Sequence, residues 1–183
     1  MTSSIILRTI TMQDTSNIIA WRNNSAVREN FIFQKDFTKE SHEHWMRTMV
    51  LTGRAVQFIL EVPDKSGAVK GIGSVYLRDI DSENHKAELG VFIGDNTARG
   101  KGYGTLAIEK LLEYAFTNLK LHKVFLRVFK KNEIAIRSYE KTGFVKEGCF
   151  CDDVCIDGLF YDVVFMGITV TQWMQIDRGT LEI

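Results

Sequence analysis

Hydrophobic positions change period several times along the chain, and each change marks an element. Residues 4–10 are mainly apolar and β-branched and predict a strand. Thr11 followed by Asp14 has the form of a helix-opening box, and Ile18, Ile19 and Trp21 fall on one face of the helix it would open. Residues 22–37 are mixed and carry no assignment. Trp45, Met46 and Met49 predict a second helix over 38–51. Residues 56–62, 69–77 and 86–93 read as three strands joined by short charged turns, an antiparallel meander. The first of these turns holds Asp64, Lys65, Ser66 and Gly67, next to Pro63, the only proline.

The second half alternates strand and helix. Leu106, Ile108, Leu111, Leu112, Ala115, Phe116 and Leu119 give residues 105–119 a long helical stripe, and 123–129 alternates apolar and basic residues as a strand. Residues 133–141 form a short helix through Ala135, Ile136 and Tyr139, stopped by Gly143. Residues 144–151 and 160–170 close the chain as two strands around Asp157 and Gly158, a hairpin turn pair. The order implies an α/β (α+β) fold with a mixed sheet, and 183 residues suit a single domain spanning 1–183.

Composition narrows the function. With 45% hydrophobic and 25% charged residues there is enough apolar material for a core, so disorder is excluded. Lys and Arg number 23 and Asp and Glu number 23, so no global field draws the chain to nucleic acid or an anionic bilayer, and neither is expected as a partner. The first residues lack a basic start followed by an apolar run, and no apolar run could span a bilayer; a cytoplasmic location is the expectation. Cys149, Cys151 and Cys155 are too crowded for a disulfide framework and have no fourth ligand at finger spacing. They are expected as buried or half-buried strand residues, with no metal.

Of fourteen glycines, Gly94, Gly100, Gly102 and Gly104 fall within eleven residues, between a strand and a helix start. A helix start offers free N–H groups and partial positive charge, and residues without a Cβ let an anion reach them. Arg99 and Lys101 add charge. A glycine-rich turn closed by solvent or by a carboxylate of the same chain is the competing explanation. A P-loop would need Ser or Thr directly after Lys101, where Gly102 stands, so nucleotide hydrolysis is excluded. A dinucleotide fingerprint would need glycine at Thr105 and an acidic residue where Lys120 to Lys123 stand.

The stretch from Arg99 through Gly102 to Gly104, between a strand and a long helix, resembles the acyl-CoA pyrophosphate loop of the GCN5-related N-acetyltransferase (GNAT) superfamily. Asn132, Ala135, Ser138, Tyr139, Gly143 and Phe144 match that family's second motif. The likeness covers residues 55–168 strongly and fits the branch that acetylates ribosomal-protein amines, spermidine and amino sugars. It implies a GNAT fold: a mostly antiparallel sheet of six to seven strands with four or so helices, strands 4 and 5 splayed. It further implies acetyl-CoA as co-substrate, held by backbone of Val91, Phe92 and Ile93, by the loop Arg99, Gly100, Lys101, Gly102, Tyr103 and Gly104, and by Asn132 and Ser138. Tyr139 would be the general acid for the departing thiolate, Phe92 N–H the oxyanion donor, and no covalent enzyme intermediate would form. A lysine-like amine, with pKa of about 10.4, must lose a proton before it attacks, and Glu88 is the candidate base.

For the acceptor, Trp21, Arg22 and Asn23 with His44 and Trp45 resemble the amino-sugar branch; an aromatic and an Arg would stack on and neutralise a nucleotide-linked amino sugar. Helix packing is the plainer role for Trp21 and Trp45. Glu29, Asp36, Glu40 and Glu43 keep a polyamine acceptor open, and a protein N-terminal amine is the other alternative. A non-catalytic acyl-CoA-binding sensor is the competing class, and a homodimer through the closing strands is compatible with the pattern.

Overall fold

The computed structural model describes residues 4–63 and 67–179, so most of the turn after Pro63 lies outside the described residues. Seven strands form one sheet in the order β1-β2-β3-β4-β5-β7-β6. They are β1 (Ile6–Thr9), β2 (Val56–Pro63), β3 (Val69–Asp81), β4 (Lys86–Ile93), β5 (Lys123–Phe129), β6 (Val145–Ile156) and β7 (Leu159–Thr169). All neighbours are antiparallel except β4 and β5. The helices are α1 (Thr15–Asn23), α2 (Ser25–Arg28), α3 (Lys39–Trp45), α4 (Tyr103–Thr117), α5 (Glu133–Lys141) and α6 (Val170–Gly179).

Strand alternation gives the sheet two different faces. Val75, Leu77, Ala87, Leu89, Val124 and Leu126 join the larger core with Ala107, Ile108, Leu111 and Leu112 of α4. Burial of each large side chain there contributes about 1.5–3 kcal/mol before entropy. On the other face Ile59 and Phe92 meet Ile18 of α1, Val27 of α2 and Met46, the smaller core.

The predicted strands and helices are present; β3 runs on to Asp81, α6 has no predicted counterpart, and three further differences have local causes. The helix expected over 38–51 ends at Trp45 and continues as a wide turn, Met46–Val50, in which Leu51 N–H donates to the Met46 carbonyl. There Thr48 Oγ1 donates to the His44 carbonyl and Arg54 to the Thr48 carbonyl, drawing both out of the regular ladder. The unassigned stretch contains α2, capped by Asn24, whose side chain accepts from Ala26 N–H. β6 runs on to Ile156 because an irregularity between Phe150 and Val154 absorbs extra residues and pairing then resumes. At the hairpin, Asp157 (φ 50°) and Gly158 (φ 80°) adopt the left-handed turn expected of them.

One departure from regular pairing positions the site. β4 and β5 pair only at Lys86 with Lys123, Ala87 with Val124 and Glu88 with Phe125. Beyond Glu88, β4 stays with β3 as far as Ile93 while β5 stays with β7 as far as Phe129, so a gap opens between them.

Candidate active site

The loop from β4 into α4 is an open cradle. Gly100 (φ 72°) and Gly102 (φ 82°) hold left-handed conformations, and Gly102 stands at the N-cap of α4, where no side chain caps the helix and no acidic residue occupies the first turn. A Cβ on Gly100, Gly102 or Gly104 would find nothing within 4 Å. The first N–H groups of α4 therefore face space that no described side chain fills, which suits a diphosphate. Lys101 is exposed beside it and Tyr103 packs on the larger core. Asp95 fixes the loop's entry: paired with Lys70 at 2.6 Å and accepting from Thr97 N–H, its carboxyl is lowered to about 2 by the lysine first. Arg99 Nε donates to the Ile93 carbonyl at 3.0 Å and its NH2 nitrogen is buried, so it braces loop to strand, and an incoming arm would share that carbonyl with it. On the β5 side, Val91 and Phe92 lie beyond the last paired rung.

Glu88 stands at the crotch of the gap and is 7% exposed. Its oxygens accept from Arg78 (Nε to Oε2, 3.2 Å) and Arg127 (Nε to Oε1 and NH2 to Oε2, both 3.1 Å), and the ion pair with Arg78 closes to 2.9 Å, so it buckles β3, β4 and β5 together where backbone pairing stops. The direct-base expectation meets a physical objection: protonating this carboxylate would break a three-group charge cluster.

Tyr139 is placed by a helix stop. Phe144 N–H donates to the Tyr139 carbonyl and Gly143 N–H to the Glu140 carbonyl, the paired bonds of a Schellman ending, with Gly143 at φ 91°. The hydrophobic contact that accompanies such an ending is Phe144 against the Tyr139 ring, 5.9 Å between centroids. The Tyr, Gly and Phe spacing of the motif is thus the geometry that fixes this phenol. The hydroxyl makes no hydrogen bond to a described residue, and burial, reinforced by Tyr76, holds the phenol well above its ordinary value. It stays protonated across the neutral range. Asn132 caps α5, accepting from Ala135 N–H at 3.2 Å, and Ser138 Oγ donates back to the Ile134 carbonyl, so the cofactor contact expected of Ser138 would have to share that hydroxyl.

The acceptor-side residues form an aromatic layer on the opposite face. A methyl group on Gly94 would stand 2.1 Å from Cγ of Trp21, so the indole lies directly on the end of β4. The Arg22 guanidinium stacks 3.4 Å from the Phe31 ring centroid, with Phe37 and Phe92 farther round it. It makes no ion pair with a described residue and its NH1 nitrogen is buried without a partner. Trp45 is committed to packing: its Nε1–H donates to Gln57 Oε1 at 2.9 Å, and Gln57 in turn donates to Ser74. Two of the acidic residues that left a polyamine open are already paired, Asp36 with Arg28 and Glu43 with Arg47.

Sequence reasoning missed two residues here and misjudged the cysteines. His44 is exposed, while His42, one turn-face away, is 1% exposed and bonds Thr15 Oγ1 through Nδ1 at 3.1 Å. Tyr76 reaches the gap from β3, and the signal was its register partner Gly90, a glycine in mid-strand. Cys149, Cys151 and Cys155 are exposed rather than buried, because β6 is an edge strand with little over it. Cys149 and Cys151 bring ligand atoms within 4.8 Å of the Asp162 carboxylate, which is itself bonded by Lys130 and by Asp152 N–H. Among the described residues no helix is long and apolar enough to cross a membrane.

The acetyltransferase (GNAT) domain profile matches residues 4–145. Spermidine N(1)-acetyltransferase of Vibrio cholerae is 28% identical over 175 residues, 96% of this chain and 98% of that protein. The enzyme of the same name from Escherichia coli K12 is 28% identical over 180 residues, 93% of this chain and 89% of that one. The crystal structure of the Vibrio cholerae spermidine N-acetyltransferase in complex with CoA and spermine superposes with a TM-score of 0.83, covering 93% of this chain and 98% of that chain. An uncapped glycine cradle, a parallel strand pair that opens and a phenol at the opening are accounted for together: the chain belongs to the GNAT acetyltransferase family.

Proposed function

We propose that this protein transfers an acetyl group from acetyl-CoA to a primary amine by direct attack, with the chemistry in the gap between β4 and β5. The observation that carries the reading is the open, uncapped start of α4 at the mouth of that gap. Acetyl-CoA would supply an activated acyl thioester. The cradle Gly100 to Gly104 with Lys101 would hold the diphosphate, and the free edge of Val91 and Phe92 would align the arm, Phe92 N–H facing the developing oxyanion. Asn132 keeps α5 in place beside it, and Tyr139 gives the sulfur its proton. Glu88 ties β3, β4 and β5 together at the point where the gap begins.

For the acceptor, a nucleotide-linked amino sugar is supported by Arg22, a cation without a carboxylate partner among Trp21, Phe31 and Phe37. A polyamine is supported by the spermidine-acetylating relatives. Release of free thiol from acetyl-CoA across a panel of amino sugars, polyamines and peptides decides between them. Turnover with none would leave an acyl-CoA-binding module. Phe150, Leu159 and Phe160, exposed along the β6 and β7 hairpin, support a homodimer through that edge, which sedimentation would test.

A further inference from the structure

Two phenols lie on opposite faces of the sheet, Tyr139 in the larger core and Tyr76 against the smaller one, and neither hydroxyl has a protein partner among the described residues. Tyr139 comes from the α5 side. Tyr76 comes from β3 on the acceptor face, directly across from Gly90. A methyl group on Gly90 would stand 2.2 Å from Tyr76 Cζ and 2.4 Å from its hydroxyl oxygen. The ring therefore lies over β4, and its hydroxyl is carried toward the side on which β5 has just parted. Tyr76 lies within electrostatic reach of Arg22, Arg78 and Glu88, and Tyr139 within reach of Tyr76. Tyr76 is held firmly. Trp45 packs edge-on against it, 6.3 Å between centroids, and Trp45 is anchored through Gln57 and Ser74 to the Phe58 carbonyl.

An aromatic ring over a strand glycine is good packing, but phenylalanine would cover Gly90 equally well. The hydroxyl is what distinguishes this residue: it bonds no described residue and, on a half-buried side chain, stays open to an incoming group. The nearest protein base is no substitute, because both Glu88 oxygens are bonded to guanidinium groups.

We propose that Tyr76 is a catalytic residue on the acceptor side, its oxygen accepting a hydrogen bond from the attacking amine and taking the proton that nitrogen must lose. The proposal rests on the acetyltransferase reading above. The amine enters neutral. As the C–N bond forms and the C–S bond breaks, sulfur takes the proton of Tyr139. The surplus proton on nitrogen moves to the Tyr76 oxygen as Tyr76 passes its own proton to water, and water returns a proton to the Tyr139 oxygen. Both phenols end as they began, with amide and free thiol as products.

The test uses the full chain with acetyl-CoA and the best amine of the panel. Tyr76→Phe is expected to lower kcat by about 100-fold, with the KM for acetyl-CoA within about twofold of its starting value. The rate of the variant should rise with the concentration of buffer base, which takes over proton removal, while that of the unmodified protein does not. Gly90→Ala, which leaves the phenol present but pushes its ring aside, should give the same loss, and thermal melts establish that both variants are folded. If Tyr76→Phe keeps kcat within about threefold and shows no buffer dependence, Tyr76 only packs and the proposal is overturned, with the acetyltransferase reading intact. If the unmodified protein turns over no amine, that reading falls and the proposal falls with it.

Discussion

The two faces of the sheet at the gap are built from different materials. The CoA face is made of backbone: glycines with positive φ, an uncapped helix start, a Schellman ending and an interrupted strand ladder. The acceptor face is made of side chains, with Trp21 laid on Gly94, Tyr76 on Gly90 and Arg22 on Phe31. Backbone devices tolerate few residue types at fixed spacings. A packed aromatic layer is satisfied by many combinations, and it is where one acetyltransferase can come to differ from another in its acceptor.

The contrast breaks first at the cradle. Gly102→Asp puts a carboxylate where the diphosphate of acetyl-CoA would lie, and we expect affinity for acetyl-CoA to fall about 100-fold or more by calorimetry. A Cβ there meets nothing within 4 Å, but φ 82° strains any L residue, so a thermal melt must show the variant folded. Unchanged affinity would remove the cradle from the site. Tyr139→Phe comes next, with kcat down about 100-fold and acetyl-CoA binding nearly unchanged. Because burial raises the Tyr139 phenol, the donor stays protonated, and the unmodified enzyme should show no alkaline loss of kcat below about pH 10. A fall near pH 8 would transfer the acid's role elsewhere.

A smaller effect separates a buckle from a base. Glu88→Gln keeps the shape but removes the charge shared by Arg78 and Arg127. We expect a loss of about 1–3 kcal/mol in stability by denaturant titration. The pH at which activity is half-maximal should not move. An upward shift without loss of stability would restore Glu88 as the base.

Legibility followed the same division. β4, β5 and α5 have the boundaries their patterns predict, and the hairpin turn at Asp157 and Gly158 was readable because left-handed positions restrict residue choice. Tyr139 was readable because its neighbours Gly143 and Phe144 are the helix stop. The wide turn after Trp45 was not, since Met46 and Met49 fit a helical stripe and only hydrogen bonds from Thr48 and Arg54 redirect the carbonyls. The clamp on Glu88 was hidden as well. Arg78 and Arg127 lie ten and 39 residues from it, and only strand register brings the three together. Cys149, Cys151 and Cys155 were misjudged because an apolar-looking strand says nothing of its place in the sheet, and β6 is the edge.

The smallest predicted effect probes the acceptor face alone. His42 packs α3 on α1, with one nitrogen on Thr15 Oγ1 and Nε2 buried without a partner. Burial lowers its pKa below the usual 6.5, against the opposing pull of Asp14 and Glu43. The folded protein therefore resists protonation at His42 while the unfolded chain accepts it, so stability should fall as pH drops below about 6.5. Between pH 7.5 and 5 the expected loss is about 1–2 kcal/mol, or about 3–6 °C in melting temperature. Asp14 sits low through its bonds to Arg8 and Thr11 and stays ionised across that interval, so it adds no slope there. His42→Gln should melt lower at pH 7.5 yet lose less on acidification. An equal acid slope in both proteins would mean that the proton enters elsewhere, and the helices of the acceptor face would then have no pH-sensitive joint at His42.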